Sequence, residues 1–98
     1  MKTGWENYKI LRNCIDLNEL KNFRELSVVS KYGRLLKVIT SPTVKEILNE
    51  VDSMHQDIEK GITDYDSYSI RLCGKASHKD AKIYRNSNHE LVLHYCYR

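Results

Sequence analysis

Apolar residues recur at a helical period through the middle of the chain. Val44, Ile47, Leu48, Val51, Met54, Ile58 and Ile62 fall within an arc of about 120° on a wheel turned by about 100° per residue. The spacing predicts an amphipathic helix over 42–60 with one stripe against a core. Two starts compete. Ser41 followed by Pro42 suits an N-cap with proline in the first turn, and Thr43-x-x-Glu46 suits a capping box one register later. Lys60 and Gly61 suit the last turn and a left-handed cap. His55 lies inside the apolar arc. A lone histidine there is expected to be a core or interface residue with one nitrogen satisfied, rather than a catalytic group.

Strand-like runs flank this helix. Residues 26–31 and 34–39 are rich in Leu, Val and Ile and are separated by Tyr32-Gly33, so 26–40 reads as a tight hairpin. Pairing across a two-residue turn sets Val28 opposite Lys37 and Val29 opposite Leu36. Both faces then come out partly apolar, which fits a hairpin covered on both sides or a different register. Residues 67–97 hold three further runs, at 68–73, 81–85 and 89–98, with a polar loop at 74–80 and a turn at Asn86-Ser87-Asn88. Alternation puts Tyr68, Ile70 and Leu72 on one face and Ser69, Arg71 and Cys73 on the other. In the last run Leu91, Leu93, Tyr95 and Tyr97 alternate with Val92, His94, Cys96 and Arg98.

The first 24 residues read as mostly helical. Trp5, Tyr8, Leu11 and Ile15 have roughly helical spacing, although 8–12 reads equally well as a strand. Asp16-x-x-Glu19 is a second capping box, opening a short helix through Leu17, Leu20 and Phe23. The expected fold is α+β and a single domain over 1–98. An antiparallel sheet of about four to five strands carries one long amphipathic helix on a face, with a short helical N-terminal segment.

Composition narrows the class. With 41% hydrophobic and 30% charged residues, one proline and four glycines, the chain is expected to fold rather than stay disordered. The first residues carry no apolar signal-peptide core, and no run is long enough to span a membrane, so a cytoplasmic protein with no membrane contact is expected. Cys14, Cys73 and Cys96 are odd in number and widely spaced, so reduced thiols are the default, with a Cys73–Cys96 bridge left open.

Charge adds a pattern that the net +3 hides. Residues 1–40 hold eight basic and four acidic side chains, 41–66 hold two and seven, and 67–98 hold six and two. The helix is an acidic block between two basic ones. A solvated helix face accounts for this simply. Basic segments sharing a face toward an anionic partner account for it too. Glu46, Glu50 and Asp57 line one edge of the helix's apolar arc, and Asp52 and Glu59 the other. An anionic ligand is therefore expected on the sheet face away from the helix, and charge reversal at Glu46 and Glu50 should leave its binding no weaker.

Candidate chemistry collects in the last third, which holds Tyr65, Tyr68, Tyr84, Tyr95 and Tyr97. The candidate binding surface is Arg71, Lys75, Lys79, Lys82, Arg85, His94 and Arg98. If Leu72 and Leu93 both face the helix, then Arg71, Cys73, His94, Cys96 and Arg98 emerge on the opposite face. Aromatics interleaved with cations on a sheet hold single-stranded RNA or DNA by stacking and phosphate contacts. The plainer reading is that tyrosine favours strands and arginine lines many solvated sheets. Cys73, His78, His94 and Cys96 supply a Cys2His2 set, but their spacings are unlike those of zinc sites, and no metal or cofactor is expected. Asp64, Asp66 and the adjacent Ser77-His78 have no identifiable catalytic partner.

The order of long helix, strand, hairpin and terminal Tyr97-Arg98 resembles the last two thirds of RelE/ParE-type toxins over residues 43–98. The resemblance implies a helix against an antiparallel sheet. For the RNase members of that family it also implies metal-independent RNA cleavage, which would fall here on Arg71, Lys82, Arg85, His94, Tyr97 and Arg98. Two functional expectations follow. The first is a small non-enzymatic binding or regulatory protein, of the kind phages and mobile elements carry, which inhibits a nucleic-acid-processing protein or acts on its nucleic acid. It would have a protein partner, with RNA or DNA contact and homodimerisation open. The alternative is an endoribonuclease acting through Arg71, Arg85, His94, Tyr97 and Arg98.

Overall fold

A computed structural model describes residues 8–11, 17–62, 68–74 and 80–96. It contains strands β1 (Tyr8–Leu11), β2 (Glu25–Ser30), β3 (Leu35–Thr40), β4 (Tyr68–Cys73), β5 (Asp80–Arg85) and β6 (Leu91–Cys96). One helix, α1 (Val44–Glu59), lies between β3 and β4, and a 3-10 helix spans Leu17–Asn22. The strands form one sheet in the order β1-β6-β5-β4-β2-β3, antiparallel at every junction. The α+β class, the hairpin over 26–40, the long helix and the three closing strands match expectation. The N-terminal stretch differs. Among its described residues the helical part is the 3-10 turn, while Tyr8–Leu11 pairs with β6 and adds a strand to the sheet; residues 1–7 and 12–16 of the expected helical segment lie outside the described residues.

The helix starts at the later of its two candidate positions. Thr43 is the N-cap: its side chain accepts from the Glu46 backbone N–H at 3.1 Å, and Glu46 Oε1 accepts from the Thr43 N–H at 3.0 Å. Two of the orphan amides at the helix start are thereby satisfied. Ser41 instead takes a left-handed φ of 50° and donates its N–H to the Arg24 carbonyl, turning the chain from β3 toward the helix. At the other end the Gly61 N–H bonds the Ile58 carbonyl and the Ile62 N–H bonds the Asp57 carbonyl, a Schellman closure with Gly61 at φ 73°. Ile62 therefore leaves the apolar stripe and is exposed.

The helix lays its stripe on one face of the sheet. Ile47, Val51 and Met54 meet Leu26, Val28, Ile70, Leu72, Ala81, Ile83, Leu91 and Leu93, with Leu20 and Phe23 beside them. Strands β2, β4, β5 and β6 each contribute alternate residues to this core, as period-2 alternation requires. Both edges of the helix are tied to the sheet by charge. Glu50 pairs with Lys37 of β3, and Asp52 accepts from the Arg85 Nε of β5 at 2.7 Å.

The β2–β3 hairpin holds two irregularities that cancel. Its loop has three residues, Lys31-Tyr32-Gly33, closed by bonds from the Gly33 N–H to the Ser30 carbonyl and from the Ser30 N–H to the Arg34 carbonyl. Gly33 sits at φ 83°, where a side chain would be strained. Val29 consequently pairs with Leu35 rather than Leu36. A bulge at Leu36 then takes up the slip, and Val28 faces Lys37 as a two-residue turn would have placed it. Only β2 is covered on the helix side along its length. Within the described sheet β3 is an edge strand, with Leu35 57%, Leu36 53% and Val38 43% exposed.

Candidate nucleic-acid interface

With Leu72 and Leu93 in the helix-side core, the intervening residues lie on the opposite face of the sheet, where Arg71 is exposed, Lys82, Tyr84 and His94 are half-buried, and Ser27 and Val92 are buried. The registers align them into rows. Arg71 of β4 is opposite Lys82 of β5, and Lys82 is opposite His94 of β6. Neighbouring strands lie about 4.8 Å apart, so this basic row spans roughly 10 Å across the sheet centre. The next row toward one end runs through Glu25, Cys73 and Asp80 and is acidic. Toward the other end, Val29 is opposite Leu35 and Tyr84 is opposite Val92, which makes that side apolar. The helix-free face is thus graded from acidic through basic to apolar.

Local contacts fix the basic row. The Lys82 Nζ lies 5.6 Å from the centre of the Tyr84 ring, two residues along the same strand. The Tyr84 hydroxyl is 3.2 Å from His94 Nε2, and the two rings meet edge to face with centres 5.3 Å apart. Burial pushes the His94 pKa below its ordinary value, and the Lys82 charge pushes it the same way. The ring is therefore neutral at neutral pH and works as a hydrogen-bonding group. For Cys73, burial raises the thiol pKa first, and Asp80 and Glu25 raise it further while Arg71 opposes them. The thiol stays protonated, which weakens it as a nucleophile and as a metal ligand.

Of the residues expected at a binding or catalytic surface, Arg71, Lys82 and His94 share this row. Arg85 does not. Alternation along β5 puts it on the helix side with Ala81 and Ile83, where its guanidinium bonds Asp52 and, at 3.0 Å, the His89 carbonyl. Lys75, Lys79, His78, Tyr97 and Arg98 lie outside the described residues. Of the metal set Cys73, His78, His94 and Cys96, His78 lies outside the described residues and Cys96 is described by its backbone alone. Cys73, Asp80 and Cys96 are successive register partners, so the two cysteine α-carbons sit about 9–10 Å apart, beyond the roughly 7 Å reach of a disulfide. Cys73 is a free thiol. His94 lies one step along the sheet in the row of Lys82, with β5 between it and Cys73.

A second constellation lies on the helix side. His55 and Glu59 stand one turn apart on α1, and His89 approaches them from the β5–β6 turn. His55 Nε2 is 3.0 Å from His89 Nδ1 and 3.3 Å from Glu59 Oε1, and His89 Nε2 is 3.5 Å from the same oxygen. His55 is 7% exposed, as its place in the apolar arc implies, and its Nδ1 has no partner among the described residues. The helical spacing of His55 and Glu59 was visible in the sequence. Nothing in the sequence pointed to His89 beside them.

No protein-family model matches the chain, and no curated protein or solved structure matches it. Among the described residues no helix is long and apolar enough to cross a membrane.

Proposed function

We propose that this chain is a small non-enzymatic binding protein that holds single-stranded nucleic acid on the helix-free face of its sheet. One observation carries the reading: Arg71, Lys82 and His94 stand in register across three strands, beside the ring of Tyr84. A row about 10 Å long matches roughly three nucleotides of a stacked strand at ~3.4 Å each. Lysine and arginine would take phosphates, and the Tyr84 ring would offer a face for base stacking. The acidic residues of α1 lie on the other side of the sheet, where they do not oppose an anionic ligand. In a regulatory role of this kind, occupancy of the strand is the effect, and no bond need be broken.

The test is fluorescence anisotropy with labelled single-stranded RNA and DNA of about ten nucleotides. Lys82→Glu and Arg71→Gln should each weaken binding at least tenfold. Neutralising Glu46 and Glu50 as glutamines should leave it no weaker. Equal loss in both sets would put the ligand elsewhere. Shortening of the RNA during the assay, abolished by His94→Ala, would replace this reading with the ribonuclease one, which has lost Arg85 from the surface it needs.

The exposed edge of β3 favours a second reading, in which a protein partner is also engaged. Leu35, Leu36 and Val38 are apolar and exposed beside unpaired edge positions of the described sheet, and Tyr32 stands next to them in the hairpin loop. A partner strand added there would bury them. Leu35→Ser with Val38→Ser, which adds no charge to the face that carries Arg71, should then abolish capture of that partner and leave nucleic-acid binding intact.

A further inference from the structure

We infer that His55, Glu59 and His89 form a binding site for a divalent transition-metal ion of the zinc class, on the side of the sheet opposite the basic row. The donors are right for such an ion: two imidazoles and a carboxylate, the set found in three-ligand zinc sites that keep a fourth position open. The separations are right too. Bonds of about 2.0–2.1 Å in tetrahedral geometry put ligand atoms roughly 3.3–3.4 Å apart. His55 Nε2 and Glu59 Oε1 are 3.3 Å apart, and His89 offers either Nδ1, 3.0 Å from His55 Nε2, or Nε2, 3.5 Å from Glu59 Oε1, with one ligand atom of each residue lying within 4.8 Å of the others. An ion would thus enter without refolding, by a turn of the exposed His89 ring that brings one of its nitrogens toward the other two ligands.

The surroundings are built to hold this arrangement. His89 adopts φ 62°, a left-handed conformation that few side chains tolerate, though histidine is among the more tolerant. The turn that imposes it is heavily bonded. The Asn86 side-chain oxygen accepts from the Asn88 and Glu90 amides at 2.9 and 3.1 Å, and the His89 amide bonds the Asn86 carbonyl at 3.0 Å. Arg85 then bridges the turn to the helix, with Nε on Asp52 and Nη1 on the His89 carbonyl. Helix and turn are therefore locked together at the point where the three donors meet.

His55 Nε2 faces both an imidazole nitrogen and a carboxylate oxygen. With its Nδ1 unpartnered, His55 reaches polar groups through Nε2 alone. Access is provided by the other two ligands, since the side chains of Glu59 and His89 are 51% and 66% exposed. The ion would staple α1 to the β5–β6 hairpin, with water in the fourth position. Imidazole and carboxylate donors suit Zn2+, and Co2+, Ni2+ and Cu2+ should also enter.

The experiment is calorimetric titration of chelator-treated, full-length protein with Zn2+, with the absorption of Co2+-loaded protein as a coordination readout. The expected result is one ion per chain and a higher thermal midpoint with Zn2+. His89→Asn, which keeps a residue tolerant of left-handed backbone, and Glu59→Gln should each weaken binding at least tenfold while leaving the metal-free midpoint near the wild-type value. Cys73→Ser should bind as wild type. Absence of binding, or binding indifferent to both His89→Asn and Glu59→Gln, would overturn the assignment.

Discussion

His94 sits under two influences that both favour its neutral ring, burial first and the Lys82 charge second. Its native pKa lies below the ordinary 6.5, so the unfolded chain binds more protons in the window between the two values. Acidification through that window destabilises the fold, and the loss is complete below the native value. The His94 ring resonances should therefore titrate with a midpoint below 6.5, read by NMR. In Lys82→Met the midpoint should rise only part of the way back, because burial remains. A wild-type midpoint above 6.5 would contradict the environment described. At this scale the sequence was legible wherever alternation governed. Leu72, Leu93, Arg71 and His94 fell on the faces that period 2 dictates. Arg85 was misassigned because it was grouped by charge, although its own alternation with Ala81 and Ile83 already put it on the helix side. His89 was illegible, since a left-handed backbone in a turn is set by Asn86 and Arg85 bonds that no local pattern encodes.

Among the elements, α1 owes its boundaries to two local motifs. The Thr43–Glu46 capping box prevailed over Ser41 because Glu46 reaches back to the Thr43 amide, a reciprocal bond that a Ser41 cap would lack. Thr43→Ala should cost about 1 kcal/mol in chemical denaturation. The same bonds, from the Thr43 amide and then its hydroxyl, hold the Glu46 pKa below its ordinary 4.5. Their contribution is present above that value and is lost as pH falls through the lower native one. Thr43→Ala removes the hydroxyl bond and keeps the amide one, so it should flatten the stability profile on the acid side only in part. If the variant matched wild type in both respects, the cap would be idle. The helix and the three closing strands were legible because each is long enough to show its period. Four residues of β1 were not, and that stretch became a strand through pairing with β6. The hairpin was right at Val28–Lys37 and wrong at Val29–Leu36, since a loop one residue longer and a bulge shift the register in opposite senses.

At the scale of the whole molecule, charge among the described residues is sorted in part by layer, although Glu25 and Asp80 share the face of Arg71 and Lys82. The acidic edges of α1 are met by Lys37 and Arg85 from the sheet, while Arg71 and Lys82 are turned to the other side. If those two cations carry the phosphate contacts, the logarithm of affinity for a single strand should fall with the logarithm of salt at a slope of about −1.4, from ~0.7 per phosphate. Removing Lys82 should reduce the slope by about 0.7. A slope that does not change would mean that other cations hold the strand. The strand order has a consequence for biosynthesis. β1 leaves the ribosome before every other described strand, yet its partner β6 is the last of them to appear, joining Tyr8 to His94. The β2–β3 hairpin can close as soon as it emerges, whereas β1 must wait through almost the entire translation of this segment. A released chain ending before residue 91 would leave β5 as an open margin of the sheet. Chaperone capture of such truncated chains should exceed that of chains that include β6.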